Sequence, residues 1–466
     1  MNECIDSLKN IVGEPYVIID DHDKTPYLHE WRGNYEGKAL AVVKPSTTQQ
    51  VSEVVKVCVQ YGVPIVPQGG NTGLVGGQTS LNAQGIVLSL TRMNAIRSLD
   101  PLSDTLTVDA GVTLLQAQEA ATRVDRLFPL SLASEGTCTI GGNIATNAGG
   151  TAVLVYGNTR DLVLGLEVVL ADGRILNGLS SLRKDNTGFD LKNLFVGSEG
   201  CLGIITGASL KLFPKPRAYA TAFCAVPSPD HALKLMTHLK TYVGAMLTTF
   251  ELIPRIGIEL VLKNIPNTRD PLLEHSPWYV LMELSSPIAD DLAPTLEAHL
   301  EAAFEAEYVS DAAVAASIEQ RHSFWKLRES MAEAQQPEGG NIKFDVSVPI
   351  AQVPTFIERA IAASYKLEPD CRPISFGHFG DGNIHFDVAQ PIGMERAVYL
   401  ARREEFHEAI HAIVQDLNGS ISAEHGIGRL KRDWLARVKS PVAMDLMRTL
   451  KAALDPHGVF NHGVIV

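Results

Sequence analysis

The chain has 466 residues, too many for one small core, so two or three domains are expected. Its residues are 45% hydrophobic and 20% charged, an ordinary soluble globular mix. A formal charge of −13, from 40 Lys and Arg against 53 Asp and Glu, argues against non-specific nucleic-acid binding. It still allows a local basic pocket for an anionic substrate.

The six cysteines are scattered and none forms a CxxC pair, which fits a reducing compartment without disulfides or an iron–sulfur cluster. No segment approaches the ~20 apolar residues of a membrane span. The start lacks the charged and apolar regions of a signal peptide and the Arg-rich character of a transit peptide. A cytoplasmic protein is the expectation.

Residues 38–67 read as strand, helix, strand. An apolar run over 39–43 ends at Pro45, and Thr47 and Gln50 have the spacing of a capping box. Val51, Val54, Val55 and Cys58 recur at helical spacing, and Gly62 stops the helix. Directly after the next strand, residues 68–78 carry five glycines, whose backbone N–H groups can converge on an anion. No Lys-Ser/Thr follows, so this is not a Walker loop, and the chain contains no GxGxxG. A tight structural turn is the plainer alternative.

Residues 134–150 form a second run of small side chains, suited to close approach of backbone to a large flat ligand. A third patch spans 197–206. Three such patches fit one extended phosphate-bearing cofactor better than three unrelated turns. Between them, residues 163–176 read as a hairpin with an Asp172-Gly173 turn.

Prolines at 214, 216, 227 and 229 mark a seam. The expected domains are 1–216, an inserted 217–415, and a returning segment 416–466. Residues 291–300 open a helix with Pro294 in its first turn, where a missing N–H costs little. Arg328 and Lys343 stand out as basic residues, although a single Arg or Lys is usually a solvated surface charge.

In Phe376-Gly377-His378-Phe379-Gly380-Asp381-Gly382-Asn383-Ile384-His385, two imidazoles lie seven residues apart. An unbroken strand would put them on opposite faces. Gly380, Gly382 and Asn383 can take the positive φ that folds the chain back and aims both rings at one spot. A divalent cation, zinc by preference, is the expected occupant. Glu424-His425 downstream supplies a third donor, and two His plus one Glu leave a coordination position open for catalysis. Ordinary loops with solvent-facing histidines are the bland alternative.

PQGGNTGLVGG, TIGGNIATNAGG, LRKDNTGFDLKNLFVGSEGCLGIIT, GHFGDGNIH and EHGIG occur in this order. Together they resemble the FAD-linked D-2-hydroxyacid dehydrogenases of the vanillyl-alcohol-oxidase flavin fold, closest to the D-2-hydroxyglutarate and D-lactate dehydrogenases within it. The resemblance runs from about Ala39 to the C-terminus. It implies an α+β, two-subdomain FAD-binding fold with an inserted α+β cap domain that takes the substrate. By match of position it implies FAD contacts at Pro67, Gly69, Gly70, Asn71, Thr72, Gly73, Gly76 and Gln78. Further contacts fall at Gly136, Thr137, Gly141, Gly142, Asn143, Thr146, Ile205 and Asn461. Some members of the fold attach FAD to a His after a Gly-Gly pair. Asn71 stands at that place, so non-covalent FAD is expected.

The implied reaction is oxidation of a D-2-hydroxy acid (D-2-hydroxyglutarate, D-lactate or D-malate) to the 2-oxo acid, with hydride to flavin N5. His378, His385 and Glu424 would hold zinc, or manganese or iron, and His425 would be the general base. Arg328 and Lys343 would bind the substrate carboxylate. Asp387 stands where the hydroxyglutarate enzymes carry Asn, and Ala332 where they tend to carry Thr. Both departures fit a different hydroxy acid. The implied electron acceptor is an electron-transferring flavoprotein, a quinone or a cytochrome, and a homodimer is one oligomeric option. Two other classes compete: a zinc-dependent hydrolase, which leaves the glycine patches unexplained, and a non-catalytic flavin-fold subunit of an oxidase complex.

Overall fold

Val51, Val54, Val55 and Cys58 lie on one side of a helix, Thr48–Tyr61, and all four are sealed in the core. Thr47 caps that helix by accepting the Gln50 N–H, and Gly62 ends it in the left-handed region. The second half of the expected capping box is redirected, because Gln50 Oε1 accepts from the Ser46 N–H instead. The computed structural model describes residues 2–466 and divides the chain into two units. Unit 1 holds Met1–Gly150, Tyr156–Lys215 and Glu424–Val466, and unit 2 holds Thr151–Val155 and Pro216–Ala423.

Unit 1 begins with β1 (Val17–Ile18), β2 (Ala41–Val43), β3 (Ile65–Gln68) and β4 (Ile86–Ser89), arranged β1-β2-β4-β3. β4 runs parallel to both β2 and β3, as strands joined through a crossover helix can. β5 (Ile96–Asp100) and β6 (Thr105–Asp109) precede a short β7 (Arg126–Leu127). β8 (Val163–Val169), β9 (Ile175–Gly178) and β10 (Ile204–Lys211) follow, then β11 (Phe213–Pro214), which pairs with β7. The order β5-β6-β10-β8-β9 makes an antiparallel sheet. β8 and β9 form the hairpin expected from Asp172-Gly173, with Gly173 at φ 80. One continuous apolar core serves both sheets, from Cys4 and Leu8 to Val459 and Phe460. The C-terminal segment docks on β3: Ile65 donates its N–H to the Val459 carbonyl, and Asn461 donates to Ile65.

Unit 2 contains β12 (Ala218–Val226), β13 (Leu247–Pro254), β14 (Trp278–Ser286), β15 (Asp311–Val314), β16 (Asn341–Ser347), β17 (Arg372–His378) and β18 (Asn383–Ala389). They form one antiparallel sheet in the order β15-β12-β14-β13-β17-β18-β16. The helix Ala293–Glu305 has Pro294 in its first turn and buries Leu296, Leu300 and Ala303. One face of the sheet carries Phe223, Ile253, Leu281, Ile374 and Phe376 and packs against the helix Ile318–Glu329 through Phe324 and Leu327.

Candidate active site

In unit 1 the first two glycine patches meet. A Cβ on Gly70 would lie 1.9 Å from the Thr137 carbonyl oxygen, and one on Gly69 would lie 2.2 Å from Thr139 Oγ1. At both positions only hydrogen fits, against backbone at Gly70 and against the Thr139 side chain at Gly69. A Cβ on Gly141 would meet Ala110 at 2.6 Å, whereas one on Gly136 would meet nothing within 4 Å. Gln78 closes the first loop by donating to the Gly73 carbonyl, and Gln68 donates to Gln78 in turn. Asn71 sits at φ 57 with its amide tied to the Pro26 and His29 carbonyls. The helix Ile140–Thr146 rises from the second patch, and Thr146 Oγ1 bonds back to Gly142. Pro67 and Ile205 lie in β3 and β10.

Three buried polar atoms here, Asn71 Oδ1, Thr139 Oγ1 and Asn461 Oδ1, have no partner within the protein. Buried polar atoms left so are uncommon. The two amide oxygens can only accept, so they fit the N–H and O–H donors of a polar cofactor such as FAD rather than its phosphates. Asn461 Nδ2 is committed elsewhere, to the carbonyls of Gly77 and Glu199.

The loop carrying Glu424 and His425 is also held within unit 1. Glu424 Oε2 accepts the Gly150 N–H at 3.0 Å, and His425 Nε2 lies 3.7 Å from Glu424 Oε1. Gly426 and Gly428 turn the chain at φ 83 and 54. Glu199 then takes the N–H groups of Ile427 and Gly428, both at 2.7 Å. Burial pushes the Glu199 carboxyl up to about 7, because these two N–H groups and the more distant Lys431 only partly offset lost hydration.

In unit 2 the strands do the assembling. β17 ends at His378, and a short turn, Phe379–Asp381, with Gly382 at φ 85 starts β18. The conformational freedom is used at Gly377 and Gly382 rather than at Gly380 or Asn383. In the resulting hairpin Phe376 faces His385, so His378 and His385 share a side of the sheet. Their ring centroids are 5.5 Å apart. Register extends this row: Asp345 lies opposite His385, Lys343 opposite Asp387, and Glu251 opposite His378. Asp345 and His385 offer donor atoms within 4.8 Å of one another. Imidazole nitrogen and carboxylate oxygen are the donors a zinc, manganese or iron ion takes.

Glu251 is fully buried. Its Oε1 lies 2.6 Å from His378 Nδ1, and its Oε2 accepts from Arg328 Nε at 2.7 Å. Burial alone would raise its carboxyl, but the charges of Arg328 and His378 and their hydrogen bonds hold it down at about 2. The Arg328 guanidinium lies 5.0 Å from the Phe376 ring centroid. Lys343 Nζ pairs with Asp387 Oδ2 at 2.8 Å, so both residues from the sequence reading meet in one ion pair.

Sequence reasoning missed Glu251, Asp345 and Glu199. Glu251 left one signal, an ionisable residue in the middle of an otherwise uncharged strand, Leu247–Pro254. Glu199 stood inside the third glycine patch without a role.

A sequence profile for the FAD binding domain matches residues 39–178, and one for the C-terminal domain of FAD linked oxidases matches residues 215–465. The D-2-hydroxyglutarate dehydrogenase of Rattus norvegicus is 38% identical over 447 residues, covering 96% of this chain and 81% of that protein. The Arabidopsis thaliana enzyme of the same name is 35% identical over 456 residues, covering 97% and 79%. Substrate-bound p-cresol methylhydroxylase superposes with a TM-score of 0.80 at 17% identity, covering 99% of this chain and 96% of that one, a likeness of fold. The expectation of a cytoplasmic protein is corrected by these relatives, since those from Arabidopsis, rat and cattle are mitochondrial. Among the described residues no helix is long and apolar enough to cross a membrane, but such a lack does not distinguish cytoplasm from an organelle's interior. The chain belongs to the FAD-linked oxidases of the vanillyl-alcohol-oxidase fold and is an FAD-linked dehydrogenase of D-2-hydroxy acids.

Proposed function

We propose that the chain oxidises a D-2-hydroxy acid to the 2-oxo acid with the help of a divalent metal, zinc by preference. The row of His378, His385, Glu251, Arg328 and Lys343 on one side of the unit 2 sheet carries the reading. FAD, held without a covalent bond, supplies a hydride acceptor, and the metal supplies a charge that acidifies the substrate hydroxyl.

The protein's residues then divide the work. His378, His385 and Glu424 hold the ion. His425 takes the hydroxyl proton on an imidazole nitrogen. Arg328 and Lys343 hold the carboxylate and so aim the single hydrogen of C2 for transfer. The patches at 67–78 and 136–146, with Ile205 and Asn461, bind FAD. Unit 1 is thus the cofactor part and unit 2 the substrate part.

The relatives' names point to D-2-hydroxyglutarate. The Lys343–Asp387 pair favours a smaller demand for positive charge, as with D-lactate, because one cation is already neutralised. A panel of D- and L-hydroxy acids assayed with an artificial acceptor decides between them. Turnover should be lost after exhaustive chelation and return with zinc or manganese, whereas full activity after chelation would sink the metal reading.

A further inference from the structure

Glu251 bonds to both arms of this arrangement, to His378 and to Arg328. It lies directly across the β13–β17 ladder from His378, so the two side chains rise from neighbouring points on one face. Its two oxygens are divided, one to His378 Nδ1 and one to Arg328 Nε. A fully buried carboxylate is costly unless it is paired on this scale. Its placement also settles the roles of the imidazole nitrogens. A carboxylate 2.6 Å from Nδ1 requires a proton there, so Nε2 is the nitrogen through which the neutral ring would take a metal. A carboxylate behind an imidazole also raises the basicity of the far nitrogen and locks the ring plane.

We infer that Glu251 is a positioning residue that orients His378 to present Nε2 to the metal and, through its other oxygen, fixes Arg328 for the substrate carboxylate. The inference rests on the metal-assisted reading above. It adds that metal affinity and substrate affinity share one buried carboxylate, so that a single substitution weakens both. A merely structural Glu251 would affect neither in a protein that folds normally.

Glu251→Gln keeps the shape and removes the charge, leaving an amide that can no longer favour a proton on Nδ1 so strongly. Glu283→Gln is the control, since Glu283 is another buried carboxylate of this sheet, gripped by Arg321 through two nitrogens. Metal-free, FAD-loaded proteins are titrated with zinc alone against a chromophoric chelator, with flavin absorbance and circular dichroism reporting the fold. Glu251→Gln should bind zinc about 10- to 100-fold more weakly and show a higher KM, while Glu283→Gln binds as wild type does. Wild-type zinc affinity in Glu251→Gln, alongside its loss in His378→Ala, would overturn the inference and spare the metal reading. Wild-type affinity in His378→Ala would instead overturn the metal reading itself. If Glu251→Gln does not fold, nitrogen-15 NMR of histidine-labelled, zinc-loaded wild type decides: a proton on His378 Nδ1 supports the inference, and a proton on Nε2 overturns it.

Discussion

Glu199 in unit 1 and Glu251 in unit 2 are both withdrawn from solvent, yet their proton affinities move in opposite directions. Desolvation acts on both. Glu199 meets backbone N–H groups, which carry only partial charge, and its carboxyl stays up at about 7. Glu251 meets a guanidinium and an imidazole, and its carboxyl falls to about 2. The contrast extends to the regions around them. Unit 1 builds its cradle from backbone, with side chains removed so that chains can approach. Unit 2 builds its site from charged side chains aligned by strand register. A backbone site is broken by adding atoms, and a side-chain site by removing them.

Removing atoms in unit 2 should have the largest effect. His378→Ala or His385→Ala should lower kcat by about 10²- to 10⁴-fold, the range of a lost catalytic group. Flavin absorbance should remain at the wild-type level. Loss of flavin in either variant would mean that the two regions do not divide the work as described.

Adding atoms in unit 1 comes next. Gly70→Ala places a Cβ 1.9 Å from a carbonyl oxygen, whereas Gly136→Ala enters open space. The first should cost about 1–3 kcal/mol or more in strain and reduce the flavin retained on purification. The second should leave flavin content unchanged. Equal flavin content in the two would show that the close approach at Gly70 is not what the cofactor requires.

Lys343→Ala should lower kcat/KM about ten- to hundredfold, the worth of a charged hydrogen bond. Arg328→Ala should match that loss and also destabilise the fold by about 3–5 kcal/mol, because Glu251 is left buried and half-paired. Lys343→Ala likewise leaves Asp387 buried and unpaired, so both variants should melt below wild type, and a wild-type melting temperature in either would contradict the burial argument.

The carboxylates predict opposite pH responses. Glu199 binds its proton more tightly in the folded chain than at its ordinary value of 4.5, so its contribution to stability falls as pH rises from 4.5 to about 7. Glu251 binds its proton more weakly when folded, so its contribution is present above 4.5 and is lost as pH falls toward 2. Glu199→Gln should therefore flatten the dependence of Tm on pH between 5 and 7, a change on the order of 3 kcal/mol at most. An unaltered slope would place the titration elsewhere. The smallest expected effect is on specificity. Asp387→Asn releases Lys343 and should raise kcat/KM for D-2-hydroxyglutarate relative to D-lactate. An unchanged ratio would mean that Asp387 does not face the substrate.

What the sequence made legible was local. Thr47 and Gly62 bounded their helix, Asp172-Gly173 marked its hairpin, and His378 and His385 betrayed a fold-back because their odd spacing demanded one. The glycine patches were visible because missing side chains are visible. Glu251 was hidden because its role depends on a partner 127 residues away, brought opposite by the register of two strands. Asp345 was passed over for Lys343 beside it, although alternation places both on the face that carries His385. Glu199 was hidden for the same reason as Glu251, its partners lying 228 and 229 residues downstream.

The docking of the C-terminal segment on β3 imposes an order of events during synthesis. Ile65 pairs with Phe460, and the Gly77 carbonyl waits for Asn461, 384 residues later. Unit 2, apart from Thr151–Val155, is one uninterrupted stretch that emerges before these partners exist. It can therefore fold while the edge of β3 and the first glycine loop still lack their ties. Loop closures of this span are slow and leave strand edges exposed in the meantime. A nascent chain stalled before Val459 would carry a complete unit 2 beside an unfinished cradle. The ties that close β3 and the first glycine loop therefore form late, once residues 459–461 have been made.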